Sequence, residues 1–419
     1  MPQFSQFAES ITAESAFTVL AAAKNLKAAG KRVIELEIGD SPFPAVEPAR
    51  LAALRSLQSG LAQYGPSAGQ PAFREAAAQY VQRRYGLAAS AANITAGPGA
   101  KPFELFFCEA FLNPGDGVLV FSPYFPTYLP NIARRGGRVV LSELQQAHEF
   151  RPSLSDIERF LKSDPQPRAI FLNSPHNPTG GVATLQDLKA IADLVRGSQI
   201  MVFADEPYDR MVWRGAHHSL LAQPDMFEHC VAAYTFSKSF SMSGWRLGFS
   251  VSHPAVADRF AQLANTVLSC VPPFVQEAGV AALTDETGQC ERRMKTFRQK
   301  LDILIPGLNQ IAGVQCLDPA GTFYAFPCVK EICNRLQITS HGLALYFLAG
   351  AADDLGVACL GGECFGAAGA GFLRFSCSEP DENLRAALEF LPVAIGRTDR
   401  VERYLQAHPE FRLRQPYPN

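Results

Sequence analysis

The sequence predicts an α/β fold in which a mostly parallel, seven-stranded sheet is sandwiched by helices and followed by a smaller α+β domain. Short apolar runs alternate with helical stretches from about residue 90 onward, the pattern of parallel strands joined by helices. Three polar residues, Asn173, Asp205 and Ser237, stand where such runs end. Because ligands bind at the carboxyl ends of strands in open α/β sheets, this clustering predicts a site.

The strand-like runs form a series along the chain. In order they are ANITA (92–96), GVLVFS (117–122), RVVLS (138–142), RAIFLNS (168–174), IMVFADE (200–206), VAAYTFS (231–237) and RLGFSVS (246–252). GAKPFELFFCEAFL (99–112) and TLQDLKAIADLVR (184–196) are predicted helices between them, the second with apolar residues at helical spacing.

After about residue 285 the pattern changes to that of a second domain. ETGQCERRMKTFRQKLDILIPGLNQI (286–311) predicts a long helix. Three runs among turns then predict strands, namely GVQCLDP (313–319), GTFYAFP (321–327) and GFLRFSC (371–377). We expect a large domain over 49–284 and a small domain over 285–419 that is completed by the N-terminal segment 1–48.

Composition points to an enzyme of the cytoplasm. With 419 residues, 47% hydrophobic content and 19% charged content, the chain can bury large cores and is not disordered. A net charge of −2 argues against a nucleic-acid or anionic-membrane partner. The N-terminus has no signal-peptide pattern, and no apolar run is long enough to span a bilayer. The ten scattered cysteines fit reduced core thiols.

Four motifs occur in a fixed order along the chain. They are Asn-Pro-x-Gly in NSPHNPTGG (173–181), Asp-x-x-Tyr in ADEPYDR (204–210), Ser-Lys and Gly-x-Arg-x-Gly in TFSKSFSMSGWRLGF (235–249), and a late arginine in FLRFS (372–376). In this combination the chain resembles the pyridoxal-phosphate-dependent aminotransferases of class I/II, the aspartate aminotransferase family, from IELEIGDSPFP (34–44) onward. The resemblance implies fold type I, pyridoxal 5′-phosphate as cofactor, and a homodimer with shared active sites.

The resemblance assigns the cofactor ring to five residues. Lys238 matches the lysine that forms a Schiff base with the cofactor and then shuttles a proton. Asp205 matches the carboxylate that keeps the pyridine nitrogen protonated. Asn177 and Tyr208 match the donors to the phenolic oxygen, and Phe125 matches the aromatic side chain that stacks on the ring. The implied catalytic residues are therefore Lys238, Asp205 and Tyr208.

Other residues match the family's phosphate site. Arg246 and the hydroxyl of Thr235 match phosphate ligands, and a guanidinium offers a phosphate two parallel hydrogen bonds. Tyr64 matches a tyrosine that reaches the phosphate across the dimer interface. The turn GPGAK opens a helix whose N-terminal N–H groups favour anions, and its cofactor-binding residues are expected to be Gly99, Ala100 and Lys101.

Substrate recognition is less defined by the sequence. Arg374 matches the arginine that holds the α-carboxylate of the substrate, and Gly39 matches a backbone contact to it; Asn177 belongs to the same expected set. Lys101 has two interpretations of equal weight: it binds the distal carboxylate of aspartate or glutamate, or it faces solvent. Ser41 stands where relatives commonly have an acid, and the Gly- and Ala-rich segment 361–372 can reshape the side-chain pocket.

These features predict an aminotransferase of amino-acid metabolism, with a biosynthetic role, that moves an α-amino group between an amino acid and a 2-oxo acid by a ping-pong mechanism. The alternative is a pyridoxal-phosphate-dependent lyase, acting by β-elimination or C–S cleavage on the same fold. A sensor domain of a transcription regulator and a cofactor-free relative fit less well. No metal site is expected, since His217 and His218 lack a third ligand and suggest an exposed loop pair.

Overall fold

The computed structural model describes residues 3–11 and 15–418, and its strands run through the chain in the predicted series. In chain order they are β1 (Arg32–Glu35), β2 (Ile94–Gly97), β3 (Gly117–Ser122), β4 (Arg138–Glu143), β5 (Pro167–Asn173), β6 (Met201–Asp205), β7 (Cys230–Thr235), β8 (Gly248–Val251), β9 (Tyr324–Ala325), β10 (Leu355–Ala358), β11 (Leu360–Gly361) and β12 (Leu373–Ser376).

The helices surround these strands. In chain order they are α1 (Gln6–Ser10), α2 (Ser15–Ala28), α3 (Glu47–Gln58), α4 (Pro71–Tyr85), α5 (Lys101–Phe111), α6 (Tyr128–Arg134), α7 (Leu154–Ser163), α8 (Leu185–Val195), α9 (Pro254–Leu268), α10 (Pro273–Leu283), α11 (Gln289–Asn309), α12 (Lys330–Leu336), α13 (Ser340–Leu345), α14 (Asp381–Gly396) and α15 (Thr398–Ala407). None of the helices in the described ranges is long and apolar enough to cross a bilayer.

Seven strands form the central sheet, in the order β2-β8-β7-β6-β5-β3-β4. Strands β3 to β7 pair in parallel, and only β8 runs antiparallel to its two neighbours. Every residue of β3, β6 and β7 is buried, because helices pack on both faces and the strands are apolar except for the polar residue that ends each one. The predicted fold class, a mostly parallel seven-stranded sheet sandwiched by helices, is confirmed.

Two small sheets lie outside the central one. Strand β1 pairs in parallel with β10, and β11, β12 and β9 form an antiparallel sheet. A separate hydrophobic cluster joins β1 to α11, α14 and α15. The N-terminal strand therefore packs with elements from the C-terminal part of the chain, as the predicted domain organisation requires, and the domain boundaries themselves stay a prediction.

One predicted strand does not form. Within 313–319, only Gln315 pairs with another segment, through an isolated bridge to Cys328. The side chain of Asn309 accepts a hydrogen bond from the N–H of Cys316 (2.8 Å) and donates one to its carbonyl (2.9 Å). Because the side-chain amide of Asn309 satisfies both the N–H and the carbonyl of Cys316, these two groups form no hydrogen bonds with a neighbouring strand.

Candidate active site

A cavity of about 550 Å³ opens at the carboxyl ends of β5, β6 and β7, where the sequence predicts a ligand site. It is lined by all but one of the predicted site residues: Gly39, Gly99, Ala100, Lys101, Phe125, Asn177, Asp205, Tyr208, Thr235, Lys238, Arg246 and Arg374. The exception is Tyr64, whose side chain lies on the surface with 89% of its area exposed. The topology thus gathers residues from both ends of the chain around one space.

Lys238 follows β7 and points its amine into this cavity. Its Nζ donates a hydrogen bond to the carbonyl oxygen of Gly39 (2.6 Å) and lies 5.8 Å from the centre of the Tyr208 ring. A Cβ atom on Gly39 would come within 1.8 Å of the Tyr324 hydroxyl. Only glycine therefore lets this backbone reach the lysine.

Two buried carboxylates lie at the cavity wall. Asp205 ends β6 and accepts a hydrogen bond from the Tyr128 hydroxyl (2.5 Å), and Glu104 on α5 accepts bonds from Thr127 (2.6 Å) and Asn131 (3.2 Å). Burial raises the pKa of both carboxyl groups. Repulsion from Asp205 raises the pKa of Glu104 further, and repulsion from Glu206 raises the pKa of Asp205 further. The bond from Tyr128 opposes this by lowering the pKa of Asp205.

Sequence reasoning did not identify Tyr128 and Glu104. Tyr128 stands three residues beyond Phe125 in SPYFPTY, a loop that was considered only for its stacking aromatic. Glu104 is an acid on the buried face of the helix α5, and an acid at a core position is the signal that could have found it. The Nζ of Lys101 lies 5.1 Å from the Phe125 ring, and its charge lowers the pKa of both carboxyl groups.

Arg246 lies against the turn that precedes α5. Its Nη2 donates to the carbonyl oxygen of Pro98 (2.6 Å), and a Cβ atom on Gly99 would lie 2.7 Å from the same nitrogen. Gly99 has φ +96°, and Arg246 itself has φ 56°, a left-handed conformation that costs a non-glycine residue free energy. The hydrogen bond to Pro98 and the close approach at Gly99 place the Arg246 guanidinium beside the N-terminus of α5. A helix N-terminus is a favourable place for an anion.

Arg374, in β12, supplies a second cation. Its Nη1 donates to the side-chain oxygen of Asn177 (3.0 Å), and its Nη2 donates to the backbone carbonyl of Glu37. The guanidinium lies 4.4 Å from the Tyr324 ring and 5.0 Å from the Phe365 ring. Aromatic rings and hydrogen bonds together fix the orientation of this buried fork, which suits a carboxylate.

The interpretation of His217 and His218 as an exposed pair is wrong for His217. Only 4% of its side chain is exposed, and its Nε2 lies 2.9 Å from a carboxylate oxygen of Glu206. Glu206 also accepts hydrogen bonds from Tyr234 (2.6 Å) and Ser219 (2.8 Å). His217 and Glu206 therefore belong to a buried hydrogen-bond network with Tyr234 and Ser219. The described residues include no group of three side chains that could hold a metal ion.

Comparisons with known proteins agree with this geometry. The model of the family "Aminotransferase class I and II" matches residues 31–391. An aspartate aminotransferase of Sulfurisphaera tokodaii is 28% identical over 92% of this chain and 96% of its own length. An aromatic-amino-acid aminotransferase of Thermococcus litoralis is 31% identical over 85% of this chain and 90% of its own length.

Solved structures give the same result. An aspartate aminotransferase of Thermus thermophilus superposes with a TM-score of 0.86 at 28% identity, covering 94% of this chain and all of that one. The fold and the site thus define a transferase enzyme that moves amino groups. The chain belongs to the aminotransferase class I and II family. The comparisons do not favour the lyase alternative.

Proposed function

We propose that this aminotransferase holds pyridoxal 5′-phosphate in the cavity at Lys238 and transfers an α-amino group from an amino acid to a 2-oxo acid. The observation that carries the proposal is the convergence on one cavity of an amine, a buried carboxylate and two guanidinium groups. The amine matches the aldehyde of the cofactor, and the carboxylate matches its pyridine nitrogen. One guanidinium matches the phosphate of the cofactor, and the other matches the α-carboxylate of the substrate.

The cavity fits the cofactor at both of its ends. The amine of Lys238 opens onto the cavity beside the buried carboxylate of Asp205, which is 5% exposed. The turn at Gly99 leaves space at the Arg246 guanidinium that a Cβ atom would fill. An aromatic side chain, Phe125, lines the same space. A flat, cationic heterocycle with a phosphate has a chemical partner here at each polar group.

Each residue of the cavity has a separate role in amino transfer. When bound, the cofactor supplies an electron sink for the negative charge that develops at the substrate Cα. Asp205 pairs with the pyridine nitrogen and holds a proton on it. Asn177 and Tyr208 would donate to the phenolic oxygen, and the amine of Lys238 would carry the proton from the substrate Cα to the cofactor in one half-reaction and back in the other. Arg374 orients the substrate through its α-carboxylate.

The side-chain specificity centres on Lys101. It lines the cavity beside Phe125, so a distal carboxylate of aspartate or glutamate can reach it, as one sequence interpretation proposes. The relatives include both aspartate and aromatic-amino-acid aminotransferases. We therefore propose a donor from the aspartate, glutamate or aromatic classes. The ten free thiols support a place for the enzyme in the reducing cytoplasm.

A homodimer with shared sites is part of the proposal. Helix α3 exposes Leu51, Leu54 and Leu57 by 46%, 55% and 53%, spaced so that they share one face. Tyr64 follows this helix on the surface, where it can reach the phosphate site of a second copy. Sedimentation velocity tests the assembly: Leu54→Glu should convert a dimer to a monomer, and a monomeric wild-type protein would contradict it.

Replacement of the lysine tests the proposed function. We expect Lys238→Ala to lower the turnover number about ten-thousandfold or more, because both the covalent attachment and the proton transfer are lost. The measurement is amino transfer from a panel of aspartate, glutamate, aromatic and aliphatic donors to 2-oxoglutarate, together with the visible absorption of the cofactor. Release of ammonia and pyruvate is followed in parallel to detect lyase chemistry.

The matched control is Lys189→Ala, an exposed lysine of α8, which should leave both readouts unchanged. Wild-type protein that binds no pyridoxal 5′-phosphate would refute the cofactor proposal. A Lys238→Ala variant that retains transamination would refute only the assignment of the lysine.

A further inference from the structure

Glu37 is a buried carboxyl group that the mechanism above does not use. It lies two residues beyond β1, none of its surface is exposed, and neither carboxylate oxygen has a hydrogen-bond partner among the described residues. Nearly all buried polar groups in native proteins have partners, so an exception needs a physical explanation. An ionised carboxylate without partners is costly to bury, whereas a neutral carboxylic acid is far less so.

The guanidinium of Arg374 contacts the backbone of Glu37. The Nη2 of Arg374 donates to the backbone carbonyl of Glu37, and the Nε of Arg374 is a further buried atom for which no partner is found among the described residues. The charge of Arg374 acts on the Glu37 carboxyl and lowers its pKa. The backbone of Glu37 is therefore bonded to the cation proposed to hold the substrate, and the buried carboxyl of the same residue acts on that cation through its charge.

The electrostatic surroundings of Glu37 favour its neutral form near neutral pH. Burial is the largest influence and raises the pKa of Glu37 to about 7. A contact with the backbone N–H of Glu37 itself, which falls short of hydrogen-bond geometry, and the charge of Arg374 both oppose this rise. The charged and titratable side chains that act on Glu37 from the surrounding elements are Glu35 on β1, Lys27 on α2, Cys359 between β10 and β11, Arg374 on β12 and Glu379 before α14.

We propose that Glu37 is a positioning residue that sets, through Arg374, how tightly the site holds the α-carboxylate of its substrates. This inference rests on the proposed function, in which Arg374 receives that carboxylate. When Glu37 is neutral, the full positive charge of Arg374 is directed at the substrate. When Glu37 is ionised, its negative charge offsets part of the positive charge of Arg374 and weakens the binding of the substrate, because the two carboxylates repel each other.

The sign of the effect follows from linkage. Glu37 is neutral below about pH 7 and ionised above it. A carboxylate ligand at Arg374 favours the neutral form of Glu37, and the neutral form equally favours the ligand. Affinity for carboxylates should therefore fall as the pH rises through about 7, and binding near this pH should take up a proton.

The experiment measures dissociation constants of unreactive carboxylates for the enzyme loaded with pyridoxal 5′-phosphate. The probes are 3-phenylpropionate, 4-methylpentanoate and succinate, which lack an amino group and are not consumed. Titration calorimetry from pH 6 to pH 8.5, in buffers of different ionisation enthalpy, gives both affinity and proton uptake. Wild type is compared with Glu37→Gln, so that titration of the cofactor itself is common to both proteins.

We expect the dissociation constant of the wild type to rise about three- to tenfold more over this range than that of Glu37→Gln, since one pKa unit of coupling corresponds to a tenfold change. Glu37→Met, which fills a similar volume without charge, should behave like Glu37→Gln. Glu158→Gln is the control: Glu158 on α7 is half exposed and paired with Lys162, and it is not among the groups that act on Glu37, so this variant should keep the pH dependence of the wild type.

Parallel pH curves for wild type and both Glu37 variants would overturn the proposal, and so would the absence of proton uptake by the wild type at pH 7. Arg374→Ala separates this failure from that of the proposed function. If Arg374→Ala binds the probes as tightly as the wild type, the assignment of Arg374 is wrong. If Arg374→Ala fails to bind while the other curves stay parallel, only the role of Glu37 is refuted.

Discussion

The buried acids on the two sides of the cavity are held in different ways. On the side of the central sheet, Asp205 and Glu104 each accept hydrogen bonds from the segment that follows β3, from Tyr128, Thr127 and Asn131. On the side of the small sheets, Glu37 accepts none from any described residue. All three side chains are buried, with 5%, 2% and 0% of Asp205, Glu104 and Glu37 exposed, so the difference lies in the partners and not in the burial.

This difference separates two uses of a buried carboxyl group. Hydrogen bonds to the charged form stabilise it and fix its position, as a partner of a cofactor nitrogen requires. A carboxyl group without such bonds is stable chiefly when neutral, so its charge depends on pH and on nearby ligands. On the side of the central sheet, hydrogen bonds therefore fix the positions of the carboxyl groups of Asp205 and Glu104. On the side of the small sheets, the charge of Glu37 changes with pH and with nearby ligands.

The largest expected effect comes from removing the fixed carboxylate. We expect Asp205→Ala to lower kcat/KM about a thousandfold, roughly 4 kcal/mol of transition-state stabilisation, because the pyridine nitrogen loses its counter-charge. Steady-state kinetics with the best donor of the panel measure it. Asp209→Asn is the control, since Asp209 is a buried aspartate that binds Tyr80 and Tyr85 and does not line the cavity. Activity of Asp205→Ala within tenfold of the wild type would show that the carboxylate is structural.

The second effect concerns stability and tests whether Glu37 lacks stabilising partners. Its folded pKa of about 7 lies above the ordinary glutamate pKa of 4.5, so between these two values the folded state binds more protons than the unfolded state. Stability contributed by neutral Glu37 is thus present at low pH and lost as the pH rises to about 7. We expect Glu37→Gln to gain up to about 3 kcal/mol relative to the wild type above pH 7.

Urea unfolding at pH 5, 6, 7 and 8 measures this difference, and the cofactor-free protein removes any contribution from cofactor binding. Glu158→Gln again serves as the control, because it neutralises an acid that already has a partner in Lys162 and that does not act on Glu37. A constant difference between Glu37→Gln and the wild type at all four values would mean that Glu37 is ionised throughout or has a partner such as water.

The smallest effect is the removal of one hydrogen bond from the fixed side. Tyr128→Phe deletes the hydroxyl that donates to Asp205 at 2.5 Å. Since this bond lowers the pKa of Asp205, its loss should move the acidic limb of the pH profile upward and reduce kcat/KM about tenfold. Tyr80→Phe removes the equivalent tyrosine–aspartate bond at Asp209 (2.7 Å), away from the cavity. Identical pH profiles for the two variants would contradict a role for Tyr128 in tuning Asp205.

The sequence by itself determined the series of strands and the edge at which the site forms. Lys238, Asp205 and Asn177 follow buried apolar runs, and the carboxyl ends of parallel strands necessarily meet at one edge. Motif order then related these positions to a known family, and through it predicted Arg374, which comes from a separate sheet. Such inferences succeed because periodicity and motifs are local properties of the chain.

Only the tertiary structure decided which acids are buried and what surrounds them. Nothing in IELEIGD distinguishes Glu35, which pairs with Lys27 at the surface, from Glu37, which is buried without a partner. Glu104 likewise acquires its partners from α6 and the residue that precedes it, beyond the next strand. Burial and hydrogen bonding depend on contacts between segments far apart in sequence, and the protonation of a carboxyl group depends on all of those contacts together.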